Sequence, residues 1–194
     1  MRKLTYFVAC SLDGFIGDPA GDANSFMSLV SGDFLEFLTT EYPDTISQEG
    51  RRILGIADAP NKRFDAVVQG RGSYQLGLDA GMPSPYGHLR EFVASRSIEK
   101  SPHPNVEIIA EDLVGRIRAL KAEDSAYDIW LCGGSEIAGQ LADEVDELVI
   151  KTYPQVYGSG MPMFGSGFAI HDYGLDAVRA FDNGVVVRWY SRKR

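Results

Sequence analysis

Hydrophobic residues along this chain occur in short runs that are bounded by turn residues. The first run, Leu4–Cys10, is rich in β-branched and aromatic residues and ends at Ser11-Leu12-Asp13-Gly14, which is typical of a buried strand followed by a turn. Residues 15–17 extend this run briefly. Further strands are predicted at residues 64–69, 89–95, 106–110, 127–132 and 147–153.

Helical patterns lie between the predicted strands. Phe34, Phe37 and Leu38 follow Ser31 at the spacing of an amphipathic helix, which Pro43 ends. Asp112 is placed to cap a second helix, and further helices follow the glycines at 70 and 133–134. Residues 44–63 are polar and predict an irregular connection.

The last part of the chain predicts a β-hairpin. Residues 177–182 and 185–191 are strand-like and flank Asp182-Asn183-Gly184, a strong turn signal. Strands that alternate with helices and end in a hairpin predict a three-layer α/β/α sandwich. Its central sheet is expected to be mixed and mostly parallel, in a single domain over residues 1–194.

The composition narrows the classes of partner. The net charge of −8 argues against nucleic acid, which requires a clustered basic face, whereas an anionic small molecule requires only a local positive site. Cys10 and Cys132 both lie in apolar runs, as expected in a reducing, cytoplasmic compartment. No apolar window approaches the roughly 18 residues of a membrane span. No His or Cys pair has metal-ligand spacing, so no metal is expected.

One strand-to-helix junction with glycines is Val67-Val68-Gln69-Gly70-Arg71-Gly72-Ser73-Tyr74. Glycines let the backbone approach a ligand, and the first amides of a helix point outward at an anion. Arg71 offers a guanidinium for a phosphate, and Ser73 offers a hydroxyl. An ordinary turn with a solvated arginine is an equally good interpretation, and the glycine spacing differs from the Rossmann fingerprint.

A second junction of this kind is Ile129-Trp130-Leu131-Cys132-Gly133-Gly134-Ser135-Glu136. Paired glycines before a helix suit a pyrophosphate at the helix N-terminus, although close packing of strand on helix is an alternative. A nucleophile elbow at Ser135 is disfavoured, because Ile137 stands where a glycine is required. A hydrolase is therefore the weakest function class.

With the segment Asp146 to Gly160, these junctions resemble a known family. The order Ser-Leu-Asp-Gly, Gly-Arg-x-Thr-Tyr, Gly-Gly, then Asp-Glu-Leu running into Pro-x-x-x-Gly-x-Gly is typical of the reductase domain of riboflavin biosynthesis and its stand-alone relatives, within the dihydrofolate-reductase-like superfamily, and this chain resembles it. The chain departs from the second motif, since Gly72-Ser73 replaces the bulkier residue and the threonine. The resemblance covers nearly the whole chain. The zinc deaminase motifs of the bifunctional riboflavin enzyme are absent from this sequence.

The resemblance implies an NADPH-dependent reductase of a small pterin, pyrimidine or flavin-precursor heterocycle, with a homodimer as the assembly. It implies a catalytic or substrate-binding role for Asp13 and Asp33, although a turn former and a favourable charge at a helix N-terminus are alternatives. A nucleotide-binding sensor without catalysis is the rival function. The cofactor-binding residues that it implies are Gly70, Arg71, Ser73, Ser95, Arg96, Gly133, Gly134, Ser135 and Glu136.

The homodimer has one supporting pattern in the sequence. Val185, Val187 and Trp189 share one face of the last predicted strand, which is either an interface or a face packed on the protein's own helices. Alternation alone does not distinguish the two.

Overall fold

The fold is built on one large mixed sheet. The computed structural model describes residues 1–165 and 167–193. The strands are β1 (Leu4–Cys10), β2 (Phe15–Gly17), β3 (Phe64–Gly70), β4 (Arg90–Ala94), β5 (Val106–Ile109), β6 (Asp128–Gly133), β7 (Glu147–Thr152), β8 (Met161–Pro162), β9 (Tyr173–Ala180) and β10 (Val186–Arg192).

Within the described residues, five α-helices connect the strands. They are α1 (Gly32–Glu41), α2 (Gln48–Ile53), α3 (Arg71–Asp79), α4 (Leu113–Ala122) and α5 (Ser135–Gln140). Short 3₁₀ helices cover Asn24–Leu29 and Pro43–Thr45. Asp112 caps α4 as predicted, since its carboxylate accepts a hydrogen bond from Gly115 N at 3.0 Å.

The sheet order is β5-β4-β3-β6-β1-β7-β10-β9. The strands from β5 to β7 are parallel, and β10 and β9 are antiparallel at the edge. Ile117 of α4 and Ile137 of α5 pack in the core on one face, and Phe34 and Phe37 of α1 pack on the other. This confirms the predicted three-layer sandwich with its mostly parallel sheet. The single domain over residues 1–194 stays a prediction.

The connection between α1 and β3 differs from the irregular segment predicted at residues 44–63. It contains α2 and is anchored by two buried charged residues, Asp44 and Arg51. The Asp44 carboxylate accepts hydrogen bonds from three successive backbone amides, and Arg51 Nη1 donates to the carbonyl of Pro43 at 3.0 Å. These bonds order a polar segment that has little apolar surface to bury.

The C-terminal hairpin packs on its own protein. Val185 and Val187 are fully buried in the core that contains Phe37, and Trp189 donates its Nε1–H to the hydroxyl of Tyr42 at 2.7 Å. This face therefore covers α1, and its apolar pattern gives no support to a homodimer. The homodimer stays a prediction from the resemblance alone.

Candidate active site

A large cleft runs along the carboxyl ends of the parallel strands. Its volume is about 1460 Å³, which is large enough for a dinucleotide together with a small second ligand. In open α/β sheets, ligands bind at this edge, where strands end and helices begin. All nine residues that the resemblance implied for a cofactor line this cleft: Gly70, Arg71, Ser73, Ser95, Arg96, Gly133, Gly134, Ser135 and Glu136.

Two helices begin at the floor of the cleft without side-chain caps. The N-cap residue of α3 is Gly70 and that of α5 is Gly134, and neither helix start has a side-chain hydrogen bond. The first amides of a helix have no partner within the helix. The amides of both first turns are therefore available to an anionic ligand.

The two glycine junctions adjoin each other. A Cβ added to Gly70 would lie 3.7 Å from the carbonyl oxygen of Gly133 and from the nitrogen of Gly134. Gly133 has a φ of 127°, a conformation that side chains disfavour. Gly134 has an ordinary φ of −90°, and a Cβ there would meet only Met161 Sδ, at 3.5 Å. The surrounding protein atoms would therefore accommodate a Cβ at Gly134, and the absence of a side chain at this position keeps the cleft open to a ligand.

Two arginines place positive charges on the cleft wall, which also carries the carboxylates of Glu111, Asp112 and Glu136. Arg71 and Arg96 are exposed, and within residues 1–165 and 167–193 neither forms an ion pair with a carboxylate. Ser95 is a turn former as well, since its Oγ accepts hydrogen bonds from the amides of Ser97 and Ile98. The two free guanidinium groups are suited to a phosphate in an otherwise negative protein.

Sequence reasoning missed two further parts of the cleft wall. Glu111 and Asp112, at the start of α4, line it on one side. Met161, Pro162 and Gly165 line it beside α5, where Gly165 N donates to the carbonyl of Ser135 at 2.9 Å. Glu111 and Asp112 could have been found from the strand-to-helix junction between β5 and α4. This junction lacks the glycines that mark the junctions at Gly70 and at Gly133-Gly134.

Asp13 lies in the turn after β1 and joins two loops. Its carboxylate accepts hydrogen bonds from Ser11 Oγ at 2.6 Å, from Tyr157 N at 3.1 Å and from Gly158 N at 2.7 Å. These hydrogen bonds, that of Ser11 first, lower the pKa of Asp13 to about 2. Asp13 does not line the cleft, and its catalytic role stays a prediction.

Asp33 lies in the first turn of α1. Its carboxylate accepts a hydrogen bond from Asp182 N at 3.3 Å, at the turn of the C-terminal hairpin. It does not line the cleft either. A substrate-binding role for Asp33 therefore stays a prediction, and the bond that the structure does show is structural.

Aromatic side chains lie beside these loops. Phe26 is buried and packs against Tyr153, with ring centroids 4.6 Å apart, and against Tyr157 at 5.4 Å. Among residues 1–165 and 167–193, no group of three or more His, Cys, Asp or Glu side chains is placed to hold a metal ion, and no helix is long and apolar enough to cross a membrane.

Comparison with known proteins gives one similar curated sequence. The uncharacterized protein YwjB of Bacillus subtilis is 27% identical over 165 residues, which are 84% of this chain and 83% of that protein. No known protein-family model matches the chain.

Solved structures resemble the chain over its whole length. A provisionally named riboflavin biosynthesis protein from Shewanella sp. PV-4 has a TM-score of 0.67 and 24% identity, with all of both chains covered. A diaminohydroxyphosphoribosylaminopyrimidine deaminase/5-amino-6-(5-phosphoribosylamino)uracil reductase from Thermotoga maritima has a TM-score of 0.65 and 19% identity, covering 99% of this chain and 57% of that one.

The dihydrofolate reductase of Enterococcus faecalis, complexed with NADP(H), is similar as well. Its TM-score is 0.63 at 12% identity, with 99% of this chain and 97% of that chain covered. At these identities the likeness establishes the fold. The chain has the dihydrofolate-reductase-like fold, as the resemblance predicted, and its structural neighbours include reductases of pyrimidine and folate type.

Proposed function

We propose that the protein is an NADPH-dependent reductase of a small heterocycle of the pterin, pyrimidine or flavin-precursor class. The observation that carries this proposal is the pair of uncapped helix starts at Gly70 and Gly134, which open side by side into one cleft with two unpaired arginines. A pyrophosphate matches the helix starts, and a 2′-phosphate matches the two arginines.

The residues present fit a dinucleotide. Gly134 has no side chain, and a Cβ there would contact only Met161 Sδ at 3.5 Å, so a pyrophosphate can approach the amides of Ser135 and Glu136. Arg71 and Arg96 are free to hold a 2′-phosphate, and Ser73 adds a hydroxyl beside them. Bound in this way, NADPH supplies a hydride for reduction of a polarised double bond.

The chain's own contribution is orientation and exclusion of water. The glycine junctions fix the phosphates, while the apolar residues Val8, Ala9 and Ile16 line the cleft beyond them. A flat heterocycle is matched by such an apolar surface. Two structural neighbours, a 5-amino-6-(5-phosphoribosylamino)uracil reductase and a dihydrofolate reductase, are named for substrates of this kind, which supports the proposed class of substrate.

Reduction is tested by following NADPH oxidation at 340 nm with 7,8-dihydrofolate, 7,8-dihydropterin and 5-amino-6-(5-phosphoribosylamino)uracil. We expect steady oxidation with at least one of them, and a nicotinamide dinucleotide in the mass spectrum of freshly purified protein. The rival function, a nucleotide-binding sensor, predicts binding of NADPH without turnover of any acceptor. If the protein neither binds NADPH nor oxidises it with any acceptor, both the reductase and the sensor function are contradicted.

The cofactor preference is a separate prediction. Wild-type protein is expected to bind NADPH at least about tenfold more tightly than NADH, because a 2′-phosphate gains charged hydrogen bonds from Arg71 and Arg96. Replacing both arginines by alanine should bring the two dissociation constants, measured by calorimetry, within roughly twofold of each other. Lys100→Ala removes an exposed charge outside the cleft and should leave the preference intact. Equal wild-type affinities would contradict the assignment.

A further inference from the structure

Lys151 is a lysine in an unusual place, on the inner part of the sheet. It lies in β7, directly beside Ala9 of β1 and Val187 of β10 in the sheet register. Its side chain is only partly exposed, and its Nζ lies 3.8 Å from the centre of the Phe7 ring. The ammonium group therefore lies over an aromatic face and not in bulk water.

No carboxylate neutralises this ammonium group among residues 1–165 and 167–193. Two other lysines do have such partners, since Lys3, just before β1, pairs with Glu147, and Lys121 of α4 pairs with Asp146 at 2.6 Å. Lys121 is buried and Lys151 is partly exposed, so the more deeply buried of these two lysines is the one that has a carboxylate partner. An unpaired charge is costly to keep within a fold unless it meets a ligand.

The titratable groups that face Lys151 come from the neighbouring strands. They are the thiols of Cys132 on β6 and Cys10 on β1, with Tyr86 and Glu91 behind Cys132. Burial lowers the pKa of Lys151 to about 8 and raises that of Cys132 to about 11. At neutral pH the group is therefore mostly an ammonium ion beside a neutral thiol.

The order of the strands places Lys151 next to one end of the cleft. The nearby residues Ala9 and Cys132 line the cleft wall, whereas Lys151 itself lies just behind them and is not a lining residue. Arg96 follows β4, Gly70 ends β3, Gly133 ends β6 and Ala9 lies near the end of β1, and all four line the cleft. In the sheet, these strands are adjacent in that order, and β7 comes next. If the arginines hold a 2′-phosphate and the paired glycines a pyrophosphate, the reactive ring lies toward Ala9 and Cys132, beside Lys151.

We propose that Lys151 is the general acid of the reduction and donates its Nζ proton to the substrate. This inference rests on the proposed function. In the balanced step, a carbonyl or imine carbon receives a hydride, with two electrons, from the reduced dinucleotide, and its oxygen or nitrogen receives the proton. The products are the alcohol or amine, the oxidised dinucleotide and a neutral Lys151, which regains a proton from water.

The aspartates are poorer proton donors than Lys151. The lowered pKa of Asp13, about 2, leaves it without a proton at neutral pH, and its oxygens are engaged by Ser11, Tyr157 and Gly158. Asp33 is bonded to the hairpin turn. A general acid works best when its pKa lies near the working pH, which Lys151 satisfies.

The proposal is tested without any substrate, by comparing NADP⁺ with NADPH. The oxidised ring carries a positive charge that the reduced ring lacks, so NADP⁺ next to Lys151 should expel the lysine proton. Calorimetric titrations at pH 7 in phosphate and in Tris buffer give the protons released on binding. Wild-type protein should release about 0.5 proton more with NADP⁺ than with NADPH. Protons exchanged by the 2′-phosphate are common to both ligands and cancel.

Two variants make the comparison decisive. Lys151→Met keeps the length of the side chain without its charge, and Lys151→Arg keeps a charge that does not titrate. Both should bind NADPH within about threefold of wild type and show no difference in proton release between the two dinucleotides. The role of Lys151 would be overturned if the difference in proton release between NADP⁺ and NADPH persisted in the variants. It would also be overturned if wild-type protein bound both dinucleotides with measurable heat but showed no such difference. If wild type binds neither dinucleotide, the proposed function itself fails.

Turnover gives the second readout. With the heterocycle that wild type reduces fastest, Lys151→Met should lose roughly 100-fold or more in rate while its NADPH affinity is retained. The wild-type rate should fall as pH rises through about 8, because the acid must be protonated. An unchanged rate in Lys151→Met would show that the lysine only fills space over Phe7.

Discussion

Replacement of Gly134 by valine is expected to abolish NADPH binding, with a loss of at least about 100-fold in affinity and a cooperative melt close to that of wild type. Gly134 has an ordinary φ of −90°, and a Cβ there meets only Met161 Sδ at 3.5 Å. The added methyl groups would fill the space through which a pyrophosphate reaches the amides of α5. Calorimetry with NADPH measures the loss, and Gly134→Ala should give a smaller loss in the same direction.

A matched control is Gly174→Val, on β9 and outside the cleft. A Cβ there contacts Cε of Lys193 at 3.4 Å and the carbonyl oxygen of Ser191 at 3.9 Å, both without overlap, and valine is well suited to a strand. Gly115 is unsuitable as a control position, because a side chain there would overlap the Asp112 carboxylate that caps α4. Wild-type NADPH affinity in a folded Gly134→Val protein would remove this glycine from the cofactor site.

Replacement of Asp44 by alanine is expected to produce the largest loss of stability, about 3 kcal/mol or more in the free energy of unfolding. The fully buried carboxylate accepts hydrogen bonds from Lys62 N at 2.7 Å, Arg63 N at 2.7 Å and Phe64 N at 3.0 Å. Alanine leaves these amides without a partner at the start of β3. Asparagine keeps one acceptor oxygen and should cost about half as much.

Urea denaturation measures this effect, with Asp58→Ala as the control. Asp58 is an exposed aspartate in the same connection, and its loss should change stability by no more than about 0.5 kcal/mol. Equal stability of the Asp44 and Asp58 variants would contradict the anchoring role of Asp44. Because the connection lies away from the cleft residues, NADPH affinity should be retained in the folded fraction of every one of these variants.

The architecture was predictable because it depends on local patterns. Runs such as Leu4–Cys10 and the turn at Asp182-Asn183-Gly184 mark strands and the hairpin without reference to any distant residue. The glycine junctions at Gly70 and Gly133-Gly134 are local too, and parallel strands bring their ends to the same edge. The nine residues of the predicted cofactor site therefore come together in one cleft, although no single junction identified the ligand.

The residues that sequence reasoning missed depend on distant contacts. Asp44 is an ordinary acidic residue in a polar segment until the chain places three amides around it. Lys151 is one polar position in a predicted strand, and only the sheet order brings it beside Ala9 and Cys132. The alternation of Val185, Val187 and Trp189 marks an apolar face correctly but does not tell whether α1 or a second chain covers it.

The most direct test of the central claim is a crystal structure of the protein soaked with NADPH. The account predicts one dinucleotide along the ends of β4, β3 and β6. Its pyrophosphate oxygens should accept hydrogen bonds from the first amides of α5, and its 2′-phosphate should lie beside Arg71 and Arg96. Density for the dinucleotide elsewhere, or a cleft without it at a saturating concentration, would contradict the assignment of this cleft as a cofactor site.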